Sequence, residues 1–143
     1  MNGNEYQDLA MRSQASQMRI INRLADLSTE DLMQLTQLRN GVTGLSDEIG
    51  ELNSCVKKHV EYGQPLDLVN LKEEVGDCLW RLAQICDAVG STLEEAMTAN
   101  IEKLKLRYPD GYSDFNAAEA NRDREEERLV MEQCQANPLP KVV

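Results

Sequence analysis

Residues 71–78 read Leu-Lys-Glu-Glu-Val-Gly-Asp-Cys, and residues 45–52 read Leu-Ser-Asp-Glu-Ile-Gly-Glu-Leu. Apolar, acid, acid, apolar, Gly and acid recur in register in the two octets. At about 100° per residue, Glu74 and Asp77 fall on one flank of the stripe Leu71, Val75 and Cys78. Glu48 and Glu51 fall on the same flank of Leu45, Ile49 and Leu52. The octets therefore read as two amphipathic helices whose acid flanks can face each other, and the fold class they predict is all-α.

Working outward, Leu71, Val75, Cys78, Leu82, Ile85 and Val89 recur at intervals of three and four and predict a helix over 68–89 closed by Gly90. Tyr62-Gly63-Gln64-Pro65 is a loop. The helix before it starts near Thr29, where Ser28 precedes Glu30 and Asp31, and Gly41 and Gly44 interrupt or loosen it. Downstream, Ser91-Thr92-Leu93-Glu94-Glu95 has the form of a capping box. Leu93, Met97, Ile101, Leu104 and Tyr108 line the helix behind it, which Pro109-Asp110-Gly111 ends. One amphipathic helix is predicted over 4–27. Beyond Tyr112 the reading is a peripheral charged helix, with RDREEER at 122–128 as a solvated face, and a loose Pro-containing tail over 136–143. The length of 143 residues suits one domain: a core of 1–112, with 113–143 as a charged helix and tail that belong to it or form an oligomer arm.

Hydrophobic residues make up 41% of the chain and aromatics only 4%, which favours helices packed on helices. The net charge of -10 argues against a nucleic-acid binder, which draws on clustered Lys and Arg. No apolar run approaches the roughly 20 residues of a membrane span, and the N-terminus has no hydrophobic signal core, so the expectation is a soluble cytoplasmic protein. Cys55, Cys78, Cys86 and Cys134 lack the close pairing of a zinc site and read as free, buried thiols. A di-iron carboxylate bundle would need Glu-x-x-His twice, and His59 is the only histidine.

Two acid pairs brought together at the edge of a core repel one another, and a bound cation removes that conflict. Oxygen-only ligands select Mg²⁺ or Mn²⁺ over zinc or copper. Gly50 and Gly76 each cost about 1 kcal/mol inside a helix relative to Ala and read as places where another backbone comes close. On the next helix Asn100, Lys103 and Arg107 lie within roughly 60° of one another. Lys103 and Arg107, one turn apart, suit a triphosphate clamp, and Asn100 suits a base or sugar edge. The plainer reading is that Lys103, Lys105 and Arg107 complement the helix dipole. Trp80, opposite the acid flank, reads as interface packing or as a base-stacking platform.

Taken in order, Glu48-x-x-Glu51 in GLSDEIGEL, Glu74-x-x-Asp77 in EEVGDCLWRLA, and the Lys-x-x-x-Arg-Tyr-Pro of NIEKLKLRYPDGY resemble the MazG-like family of all-α nucleoside triphosphate pyrophosphohydrolases. The opening NEYQDLAM is similar to the start of many compact members. The resemblance implies a helical bundle working as a homodimer or homotetramer. It also implies hydrolysis of an NTP or dNTP between the α and β phosphates to a monophosphate and pyrophosphate. Glu48, Glu51, Glu74 and Asp77 would then be catalytic carboxylates holding Mg²⁺, with Mn²⁺ a possible substitute. Lys103 and Arg107 would bind phosphate, and Asn100 would be a weaker nucleotide contact. The same resemblance takes in dUTPases, dCTP pyrophosphatases and phosphoribosyl-ATP pyrophosphohydrolases, which leaves base and sugar open. The reading of a different class is a helical interaction or regulatory protein that keeps the fold without catalysis.

Overall fold

The computed structural model describes residues 1–134, and every regular element among them is helical. The tail expected at 136–143 lies outside the described residues. Residues 1–33 form one compact unit, and a second begins at residue 34.

The helix expected over 4–27 is two helices, α1 (Gly3–Met11) and α2 (Gln17–Ala25). Local hydrogen bonds explain the break. The Ser13 hydroxyl donates back to the Ala10 carbonyl at 2.7 Å, and Ser16 caps the next helix by accepting from the Arg19 N–H. Serines that offer the backbone such alternatives favour ends over interiors. Asn2 and Glu5 add a reciprocal capping box at the start of α1.

Helix α3 (Thr29–Val60) begins where the sequence places it, with Ser28 Oγ accepting from the Asp31 N–H at 3.1 Å. It runs unbroken through Gly41 and Gly44, so of the two expected outcomes there, interruption or loosening, the interruption does not occur. Those glycines face α4 (Leu68–Ala88). A Cβ at Gly41 would lie 2.9 Å from Ile85 Cγ1 and 3.4 Å from its backbone nitrogen, and one at Gly44 would overlap the Arg81 side chain. They admit a close antiparallel approach. Along it Gln37 donates to Asp87 at 2.6 Å near one end, and Asn70 donates to Cys55 Sγ at 2.7 Å near the other. Gly50 and Gly76 meet nothing within 4 Å, so neither serves the approach of another backbone within the chain.

Asp67 caps α4, accepting from the N–H groups of Val69 and Asn70. The helix ends through Val89, followed by Gly90 at φ 69°, a left-handed conformation that favours glycine. Helix α5 (Leu93–Arg107) starts at the predicted capping box, made by Thr92 and Glu95. After Gly111 come α6 (Asp114–Ala117), a 3₁₀ turn at Glu119–Asn121, and α7 (Arg124–Gln133). Helix α5 packs against both α4 and α7.

The apolar stripes are largely left uncovered: Ile49, Val75, Leu79, Met97 and Ile101 are exposed, and Trp80 is 53% accessible. No helix among the described residues is long and apolar enough to cross a membrane.

The glycine contacts predict opposite signs for two similar changes. Gly50→Ala raises the thermal midpoint, gaining up to about 1 kcal/mol of helix propensity. Gly41→Ala lowers it, because wedging the helices apart costs about 1–3 kcal/mol and outweighs the same gain. Melting curves followed by circular dichroism check both, and a stabilising Gly41→Ala would contradict the close approach.

Candidate functional site

Helices α3 and α4 bring ligand oxygens of Glu48, Glu74 and Asp77 within 4.8 Å of one another. The two acid flanks meet across the helix pair, the facing arrangement that the octets suggest. Glu74 is buried, whereas Glu51 and, from the apolar stripes, Ile49 and Val75 are exposed.

Glu74 Oε1 accepts from Asn70 Nδ2 at 3.0 Å, and the same amide nitrogen reaches the buried Cys55 Sγ. Burial is the main cause that raises the Glu74 pKa above its ordinary value, and the charges of Glu51, Asp77 and Glu73 push the same way. The Asn70 hydrogen bond opposes them. Glu51 is exposed and lies outside the group of three, although its charge is felt at Glu74. Three of the four predicted acids thus meet, and the fourth stands at the rim.

This geometry could hold a cation. A buried carboxylate faces two others, and the only hydrogen bond it accepts among the described residues comes from Asn70. The donors are all oxygen, the chemistry of Mg²⁺ or Mn²⁺.

Glu48 has a partner that the sequence reading missed. Arg81 Nε donates to its Oε1 at 3.1 Å, in a pair with side chains only 19% and 14% accessible. The guanidinium lies over the Trp80 ring at 4.1 Å from its centroid, and Nη1 donates to Gln84 at 3.2 Å. A signal was present, since Arg81 lies one helical turn beyond Asp77 and shares its flank.

The expected phosphate clamp on α5 is only partly available. Lys103 is half-buried, Asn100 is exposed, and neither makes a hydrogen bond or ion pair among the described residues. Lys103 is not among the charges that shift Glu74. Arg107 is engaged elsewhere: its Nε and Nη2 donate to the two carboxylate oxygens of Glu127 at 2.8 and 2.6 Å. Arg122 grips the same carboxylate at 3.2 and 2.6 Å, and also donates to Glu119, which pairs with Arg124. The run at 122–128 is therefore not uniformly solvated, because the Glu127 side chain is only 8% accessible. Glu127, Val130, Met131 and Cys134 are the packed positions of this segment, at the 0, 3, 4, 7 spacing of a helix face, and that spacing was the available clue. The four cysteines are free as expected, with Cys55 buried and the others half-buried.

Hydrogen bonds from Arg107, then from Arg122, hold the Glu127 carboxyl well below the usual carboxylate range and outweigh the effect of burial. A depressed folded-state pKa contributes stability that is complete above the ordinary value of 4.5 and is lost as pH falls toward the folded value. Urea titrations should accordingly show stability falling below about pH 4.5, with Glu127→Gln flattening that slope. At neutral pH the same variant should also be less stable, because Arg107 loses its carboxylate partner and Arg122 keeps only Glu119. An unchanged acid limb in the variant would contradict the assignment.

A family model described as the MazG nucleotide pyrophosphohydrolase domain matches residues 37–112, the stretch that contains all four acids, Asn100, Lys103 and Arg107. Coiled-coil domain-containing protein 162 of Mus musculus is 27% identical over 140 residues, covering 92% of this chain. The chain spans only 15% of that relative's length. No solved structure matches the chain.

Proposed function

The chain belongs to the MazG nucleotide pyrophosphohydrolase family, and from that premise we propose that it hydrolyses nucleoside or deoxynucleoside triphosphates between the α and β phosphates in a Mg²⁺-dependent reaction. The products are the monophosphate and pyrophosphate. The observation that carries this reading is the meeting of Glu48, Glu74 and Asp77 from two antiparallel helices. In the proposal these three hold the cation. Glu51, exposed at the rim, is the fourth ligand of the proposal. When bound, the cation supplies positive charge against the triphosphate oxygens and against the charge that builds up during in-line displacement at phosphorus.

The chain's own residues do the rest. Asn70 fixes the direction of the Glu74 carboxylate. Lys103 is the α5 cation assigned to phosphate, with Asn100 three residues before it for the nucleoside. Arg107, tied to Glu127, serves in this proposal as the anchor that fixes the end of α5. The free cysteines suit the reducing cytoplasm, where nucleotide pools are also found.

We further propose that the enzyme is a homodimer or homotetramer. The exposed stripe residues Ile49, Val75, Met97 and Ile101, with Leu79 beside them in sequence, are of the kind that a second copy of a helical chain covers. Sedimentation equilibrium should return two or four chain masses at micromolar concentration, and a single-chain mass would reject this part.

The catalytic proposal is tested by pyrophosphate release from the eight common NTPs and dNTPs with Mg²⁺. At least one substrate should turn over, EDTA should stop it, and Glu74→Gln or Asp77→Asn should lower kcat by at least about 100-fold with helix content intact. No turnover on any of the eight would favour the non-catalytic, interaction-protein reading instead.

A further inference from the structure

We infer that Arg81 is a phosphate-contacting residue of this site, held ready by Glu48 and released to the substrate when Glu48 takes up the cation. The inference rests on the pyrophosphohydrolase reading above and assigns it a residue that neither the acid motif nor the basic face of α5 supplies.

Four observations lead to it. First, Arg81 Nε is 3.1 Å from a carboxylate oxygen of Glu48, a member of the acid group, so any ligand gathered by that group lies within a side chain's reach of the guanidinium. Second, the chain reserves space for it. Gly44, inside a helix where glycine is unfavourable, is the position at which a Cβ would collide with the Arg81 side chain. Third, Trp80 at 4.1 Å and Gln84 hold the guanidinium flat and oriented, which lowers the entropy lost when it binds a planar or forked set of oxygens. Fourth, the Glu48 contact uses only Nε, and Nη2 makes no hydrogen bond among the described residues. Nη2 is therefore the unpartnered donor, and departure of Glu48 would free the Nε–Nη2 edge for an anion.

The competing candidate for this duty is Arg107, and both carboxylate oxygens of Glu127 already occupy it. A triphosphate keeps anionic oxygens beyond those that a cation neutralises, and a guanidinium reads two of them at once. The exchange conserves charge pairing at each step. Glu48 trades a guanidinium for the cation, and Arg81 trades a carboxylate for phosphate. No covalent bond changes in this exchange.

This mechanism makes two ligands respond in opposite directions to one substitution, which a packing role for Arg81 would not do. The full-length chain is titrated with Mn²⁺ alone, with free Mn²⁺ read by electron paramagnetic resonance. A second titration, by calorimetry, uses magnesium tripolyphosphate, which carries no base or sugar. Arg81→Ala should bind Mn²⁺ as tightly as the natural chain or more tightly, because Glu48 loses a competitor. It should bind magnesium tripolyphosphate at least about 10-fold more weakly, the size expected of a charged hydrogen bond. Arg81→Lys should fall between, since it keeps the charge without the fork. Gly44→Ala, which displaces the guanidinium while retaining every charge, should reproduce the tripolyphosphate loss and guards against misfolding of the first variant.

Parallel weakening of both ligands, or unchanged tripolyphosphate binding, would overturn the inference. If the natural chain hydrolyses a triphosphate but Arg81→Ala leaves tripolyphosphate binding unaltered, this assignment fails alone. If it hydrolyses none while the opposed shifts appear, the assignment stands and the hydrolytic reading fails. A natural chain that binds neither probe removes both.

Discussion

A carboxylate turned in between two helices must be answered by positive charge or by hydrogen-bond donors, and the pairing of α3 with α4 is arranged around that demand. Glu48 is answered by Arg81. Glu74 is buried and faces other acids, which together outweigh its one amide hydrogen bond, so its proton is held more tightly than usual. Neither could be enclosed unless the helices came close, and Gly41 and Gly44 are what let them.

The contrast with Glu127 shows how similar burial leads to opposite chemistry. Both carboxylates are buried, and burial alone pushes each toward the neutral form. Glu127 meets two arginines and is driven the other way, which makes it a fixed structural anion between α5 and α7. Glu74 meets like charges that add to the effect of burial, the kind of perturbation that gathers at reactive sites. The same residue type serves as fastener in one place and, in the proposed function, as cation ligand in the other.

Much of the architecture was legible because its signals are local. The capping box at Thr92 and Glu95, the Gly63-to-Pro65 loop and the periodic helix ending before Gly90 all depend on residues within a few positions of one another. The break after α1 was not legible, because the apolar spacing across 4–27 continues while two serine hydroxyls redirect the backbone. The facing acid flanks were legible from the shared register of the two octets, whereas hydrophobic periodicity shows that a stripe seeks cover and not which surface supplies it. Glycines behaved the same way, since Gly41 and Gly44 serve the close contact that Gly50 and Gly76 were expected to serve. For Arg107, spacing identified its flank on α5, but its partner lies 20 residues further along the chain. Motif order correctly indicated the family, and it carried no information about Arg81, which is set by a partner 33 residues away.

The carboxylate shared by Arg107 and Arg122 has a bearing on how this chain can drift over evolutionary time. Loss of either arginine leaves the acid with one partner, whereas loss of the acid sets two half-buried cations against each other. The three positions therefore form a single heritable unit, with tolerated paths that pass through paired replacements. Sites 107, 122 and 127 should consequently change together or scarcely at all among descendants of a common ancestor that keep α7 docked on α5.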